Sequence, residues 1–376
     1  MSINSALKKE GIKVIGKLNT LEVNKIATSI SKSIADTFPE HSINQKDLFI
    51  SISRLDMYVA EMPNDMAMAK YFYKNNSIYF SKNMNLDDLN TLAVHECIHF
   101  MQELKNSKGK VIKLGLYNLQ TGFGMAINEA AVQYMASLAL GSSLDCVKYY
   151  NMEISTISPD FYPLQTALLN EMIYFTGSYP LCHSTFYSND VFKNTFIAKS
   201  SAKAYSKISK NFDLIFEYET ILSNEIHRLA LLSDDANKNE EKKKKISNKI
   251  DNIKKVIFEK TIETQNTIIL NCFEKEFNLI RNVEDIKSFR EHLYNFKNVL
   301  ICCENYNFFN EFYIEMSNRL EEKQEFIEKY GNLLTIDTIT TELTSIRENT
   351  YGFQFFKTLF SKFKLLFEEF VREKDF

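Results

Sequence analysis

Ten glycines and five prolines are spread over 376 residues, and no other feature narrows the fold of this chain more. Both residues interrupt helices, glycine through its backbone entropy and proline through its missing N–H and its ring. A chain that uses them so sparingly is expected to run in long helices. Thirty phenylalanines and nineteen tyrosines supply flat apolar surface for helix–helix contacts, with no tryptophan present. At this length the chain can bury a large core and is expected to form two domains.

The pattern along the chain refines this. Val23, Ile26, Ile30 and Ile34 recur at helical spacing between Leu21 and Phe38, and Pro39 ends the run. Residues 48–53 and 57–60 read as short strands. Residues 70–73 and 77–80 read as a hairpin turned at Asn75-Asn76. Residues 145–197 are expected to hold further helices, with breaks near Ser158-Pro159 and Gly177 to Pro180. From about Ala202 the composition shifts. Ile215, Tyr218, Leu222, Ile226 and Leu229, then Ile246, Ile250, Ile253 and Ile257, form two stripes separated by a turn signal at 233–237. They predict an antiparallel helical hairpin with the charged run 240–245 at its solvated tip. Helices are expected over 283–306, 308–330 and 354–373, the last with a core-facing stripe that includes Phe356, Phe360, Phe363 and Phe367.

The chemistry is concentrated in residues 91–133. His95-Glu96-Cys97-Ile98-His99 is an HExxH pattern. On a helix, side chains four residues apart diverge by only about 40°, so His95 and His99 can grip one ion. Glu96 points about 60° beyond His99, beside the ion and outside its ligand shell, where a carboxylate can take a proton from water. The helix is expected to start near Asn85, Asp87 and Asp88 and to stop at Gly109. A catalytic zinc ion takes three protein ligands. The third is expected from Glu129, 30 positions after His99, in the first turns of a second helix that follows Gly122 and Gly124 and ends before Gly141. Gln133, one turn on, can accept the second ring N–H of a liganding histidine and fix its tautomer.

With these residues the chain resembles the gluzincins, the thermolysin-like clan of zinc metallopeptidases, in which HExxH is followed by a helix carrying an Asn-Glu pair (here Asn128-Glu129). The resemblance covers roughly residues 75–141. It implies His95, His99 and Glu129 as zinc ligands, Glu96 as general base and Gln133 as the outer partner. It also implies a small sheet before the active-site helix, whose edge strand pairs with the substrate backbone. Ser77, Ile78 and Tyr79 are the expected substrate strand. His183, with Tyr179 and Tyr187 near it in sequence, is the expected oxyanion stabiliser. The expected fold is therefore α+β and predominantly α. A zincin-type metallopeptidase domain occupies residues 1–200, and an all-helical region with the hairpin occupies 201–376.

The net charge of −3 offers no footprint for nucleic acid. The six cysteines form no CxxC pair and read as reduced thiols. The N-terminus lacks the apolar core of a signal peptide, and no stretch reaches the roughly 18 apolar residues of a membrane span. These features give the expectation of a cytoplasmic hydrolase with a peptide or protein substrate. The alternative is a helical interaction protein that keeps a structural or vestigial zinc site.

Overall fold

The computed structural model describes residues 3–63, 68–84, 89–149, 152–232, 240–303 and 308–330. The fold is α+β and predominantly α. The chain divides into two compact units, residues 1–279 with 292–308, and residues 280–291 with 309–376. The hairpin helices fall in the first unit with the residues before them, whereas the expected boundary lies near residue 200.

That unit opens with α1 (Ile3–Lys9), β1 (Lys13–Lys17) and α2 (Thr20–Thr37). A capping box starts α2: Glu22 N donates to Asn19 Oδ1 at 3.0 Å, and Asn19 N to Glu22 Oε2 at 2.8 Å. Residues 48–53, expected as a strand, lie mostly in α3 (Gln45–Ile52). The reason is local. Asn44 Oδ1 accepts from Asp47 N at 3.1 Å and starts a helix, and Leu48 and Ile52 then share one buried face. β2 (Asp56–Glu61), β3 (Ala69–Phe72) and β4 (Ser77–Ser81) complete a four-stranded sheet in the order β1-β2-β4-β3. The β3–β4 hairpin forms as expected, with Asn76 in the left-handed region at φ 52°.

α4 (Leu89–Met101) packs on β3 and β4. The residues expected to start it, Asn85, Asp87 and Asp88, lie outside the described residues. It ends well before Gly109, which instead shapes a turn between β5 (Glu103–Lys105) and β6 (Val111–Leu114), with Gly109 N donating to Asn106 O. β7 (Tyr117–Asn118) completes this three-stranded antiparallel sheet, and α5 (Met125–Ala139) follows at the expected place. Ile30 and Ile34 of α2, Ile78 and Phe80 of β4, Val94 and Cys97 of α4, and Val132 and Met135 of α5 pack into one core.

Residues 145–156 form a β8 (Asp145–Tyr149) and β9 (Met152–Thr156) hairpin rather than helix. α6 (Pro163–Thr176), α7 (Ser178–Tyr187) and α8 (Val191–Lys199) lead to the long pair α9 (Ala202–Leu231) and α10 (Glu240–Leu279). α9 and α10 pack together as the two stripes predict, with Ile215, Leu222, Ile250, Ile253 and Ile257 buried and Ile226 turned to solvent. Lys249 Nζ crosses the pair to Glu225 Oε1 at 2.7 Å. The expected turn at 233–237 lies outside the described residues. Aspartate at Leu222 or Ile250 places a charge in a seam without a partner. Each substitution is expected to lower unfolding free energy by about 3 kcal/mol, read by denaturant titration.

After α11 (Val283–Asn295), β10 (Cys302–Cys303) pairs with β9, and α12 (Phe308–Tyr330) follows. Within the second unit Ile286, Phe289, Phe312, Met316 and Leu320 are buried. The phenylalanine stripe of residues 354–373 lies outside the described residues. No helix among the described residues is long and apolar enough to cross a membrane. All six cysteines are free, and burial pushes the Cys182 thiol up to about 12.

His183, the expected oxyanion stabiliser, lies apart from the candidate site. Its ring stacks on His41 (centroids 5.9 Å) and Tyr179 (5.5 Å) and contacts Tyr187 (4.8 Å), and it does not line the cleft that holds the HExxH residues. The reason is the direction of α7, which packs this face against the short segment around His41. His41 is buried, and neither ring nitrogen finds a hydrogen bond, although Glu40 Oε1 lies 3.4 Å from Nε2. Burial lowers its pKa, and the nearby His183 adds to this, against the pull of Glu40. A depressed histidine pKa means that the unfolded chain takes up the proton first. Stability is therefore full above about pH 6.5 and falls as the pH drops below it. Thermal unfolding between pH 7.5 and 5.5 is expected to show this loss in the parent and less of it in His41→Phe.

Candidate metal centre

Two helices build the site. α4 is apolar on nearly every face, so it runs through the core, and it turns His95, Glu96 and His99 to the cleft together with Thr91 and Leu92. α5 is brought beside it by a tight entry. Gly124 sits at φ 85°, where a Cβ would meet Leu116 O at 2.8 Å, so glycine is required there. Asp213 of α9 then accepts a hydrogen bond from Ala126 N at 2.9 Å and caps the helix start from 87 residues away.

Within this frame three ligand-type atoms converge. His95 Nε2 and His99 Nε2 are 3.1 Å apart, and Glu129 Oε2 is 3.4 Å from each. Among the described residues this is the one group of three that could hold a metal ion. The other ring nitrogens are held by carbonyl oxygens. His95 Nδ1 donates to Gln133 Oε1 at 2.9 Å and His99 Nδ1 to Gln102 Oε1 at 3.1 Å. An amide oxygen only accepts, so each Nδ1 carries a proton and each Nε2 is the atom turned to the centre, where it offers a lone pair once the ring is neutral. Gln133 thus takes its expected place. Gln102 was not expected. It is fully buried and is fixed by Asn128, whose Oδ1 accepts from Gln102 Nε2 at 3.1 Å and from Leu116 N at 2.9 Å.

Two facing lone pairs and a carboxylate attract positive charge. Burial opposes charge on His99, but Glu129 outweighs it and pushes the imidazole up to about 9. Burial works against the Glu129 anion as well, and the two imidazoles nevertheless hold it well below the usual carboxylate range. For bond lengths of about 2.1 Å, the edge of a tetrahedron of nitrogen and oxygen ligands is about 3.4 Å. The observed triangle matches that edge, so the residues fit a divalent cation.

His95, His99 and Glu129 all face an open cleft of about 1060 Å³. Glu96 faces it too, buried, with its Oε2 accepting from Tyr71 N of β3. β3 is the sheet edge and borders the cleft through Ala69, Lys70 and Tyr71. The expected substrate strand was Ser77, Ile78 and Tyr79 of β4. That strand is interior, paired on both sides and fully buried, because the chain crosses from β2 to β3 before returning between them.

Tyr162 is the residue sequence reasoning missed. It sits at φ 50° just before Pro163, a strained position that only its surroundings hold. Its ring stacks on His95 with centroids 6.2 Å apart. Burial, then the charges of Glu129, Glu96 and Glu219, hold the phenol well above its ordinary pKa, so it keeps its proton. No periodicity marks a lone tyrosine in a loop; the Tyr-Pro pair was the signal available.

No family model, no curated protein and no solved structure compared with this chain matches it.

Proposed function

We propose that the chain is a zinc-dependent metallopeptidase of gluzincin type. The observation that carries this reading is the convergence of His95, His99 and Glu129 from two helices onto one point that faces an open cleft, with the Glu96 carboxylate beside it. Two imidazoles and one carboxylate are a common donor set of catalytic zinc, and such a centre keeps a position for water. When bound, the ion supplies Lewis acidity to water and to the peptide carbonyl.

The protein's own residues do the rest. Glu96 takes the proton of the attacking water and later delivers it to the leaving amine. Its hydrogen bond from Tyr71 N aims the carboxylate and ties it to the strand beside which a substrate backbone lies. Tyr162, which keeps its proton, donates its O–H to the carbonyl oxygen as negative charge develops there. Gln133 and Gln102 hold the imidazoles in the tautomer that ligates. Peptide backbone lies along β3 by strand addition. The free thiols suit a reducing, cytoplasmic setting. A structural or vestigial metal site in an interaction protein would be closed over by protein, and the cleft argues against it.

The test is metal analysis of the purified full chain, with cleavage of a mixed peptide library before and after chelation. About one zinc per chain and metal-dependent cleavage are expected. Zinc without cleavage would leave only the structural-site reading.

A further inference from the structure

The part of the cleft lined by α9 and the loop before α6 has its own chemistry. α9 turns Phe216, Glu219 and Thr220 toward the cleft, and the loop before α6 adds Asp160 and Phe161. Glu219 is held rigidly. Tyr149 Oη donates to its Oε1 at 2.5 Å and the Gln165 amide to its Oε2. No ion pair engages Glu219 among the described residues, and burial makes its carboxyl harder to ionise. Gln165 is fully buried, and once its N–H is given to Glu219 its own Oε1 has no partner. That oxygen is shut off from solvent and Gln165 does not line the cleft, so Glu219 is the acceptor this wall offers, with no cation paired to it among the described residues. The lysine that β3 brings to the cleft, Lys70, is committed to Glu10 Oε2 at 2.6 Å.

Aromatic rings line the same part of the cleft as Glu219. The Tyr162 and Phe216 rings are 5.8 Å apart, and Phe161 is partly open to solvent. Ring faces attract cations, and a carboxylate at the base supplies the matching charge. Tyr162 feels Glu219 together with Glu96 and Glu129, so this wall lies beside the candidate metal centre.

We propose that this wall is a pocket for a basic side chain, the ammonium or guanidinium of a lysine or arginine in the peptide that occupies the cleft. That the ligand is a peptide rests on the metallopeptidase reading; the preference for a cation rests on Glu219, held by Tyr149 and Gln165, and on the aromatic faces alone. A lysine or arginine supplies the countercharge that Glu219 lacks. An apolar side chain of the same length covers the Glu219 carboxylate without a countercharge, which costs binding.

The experiment measures binding, not turnover. Blocked hexapeptide mixtures with lysine or norleucine at one fixed position are titrated onto the metal-free full chain. The lysine set is expected to bind at least about tenfold tighter. Glu219→Gln, checked for an unchanged fold, is expected to reduce that ratio to near one. Asp160→Lys, on the exposed rim where folding is not at risk, is expected to weaken lysine binding several-fold with little change for norleucine. Equal binding of the two sets, absence of binding by both, or a preference that survives in Glu219→Gln overturns the pocket. Lysine preference in binding without cleavage of the same peptides by zinc-loaded parent supports the pocket and removes the peptidase reading. Cleavage without the preference does the reverse.

Discussion

Replacing Glu96 by glutamine is expected to lower peptide turnover by about 10²- to 10⁴-fold while zinc and fold are retained. General-base catalysis is typically worth that factor. The amide has nearly the same shape and can still accept the Tyr71 N–H through its carbonyl oxygen, so the local packing survives. What it loses is the ability to take a proton from water and return it at neutral pH. Glu96 is not one of the three converging ligand-type atoms, so zinc content should not change. Turnover of one identified peptide by parent and Glu96→Gln proteins of equal zinc content is the measurement. Equal turnover would remove Glu96 from the chemistry even if zinc were found.

Truncating Glu129 to alanine is expected to weaken zinc binding by more than about 100-fold, beyond the 10- to 100-fold that loss of an outer partner such as Gln133 causes. Without the carboxylate the two facing imidazoles lose the charge that balances a divalent ion. Competition with a chelator of known affinity ranks parent, Gln133→Ala and Glu129→Ala. His95→Ala and His99→Ala should abolish binding. Parent-like affinity in Glu129→Ala would exclude it as the third ligand.

The contrast between Gln133 and Gln102 shows which parts of such a site are legible in a sequence. Gln133 lies one helical turn from Glu129, and spacing alone puts both on one face. Gln102 lies just past the end of α4, and its role depends on Asn128, which reaches back across the fold. The same rule separates the elements. α2, the β3–β4 hairpin, α5 and the α9–α10 pair are specified by local caps and periodic stripes. α3 was misread because a six-residue apolar alternation fits a strand or a helix, and the Asn44 cap decides it. Which strand is the sheet edge depends on a crossover that no local pattern encodes, so the hairpin alone does not tell that β3 is the edge and β4 interior. His183 was misplaced for a similar reason: nearness in sequence to tyrosines says nothing about where α7 points.

The Asp213 cap on α5 bears on the order in which the protein assembles as it is made. Both helices that carry the metal-ligand residues have been synthesised by about Ala139, yet the residue that caps α5 and the wall that shields the cleft come only with α9. The stretch from Gln133 to His227 corresponds to roughly 5–20 s of synthesis. During that interval the emerging chain carries two histidines and a glutamate with an open side and an uncapped helix. Metal acquired then would be held by an incomplete cage and exchange readily. If the site holds a metal as proposed, an ion acquired after α9 has docked would be retained, so loading is expected to follow the docking of α9 rather than to precede it.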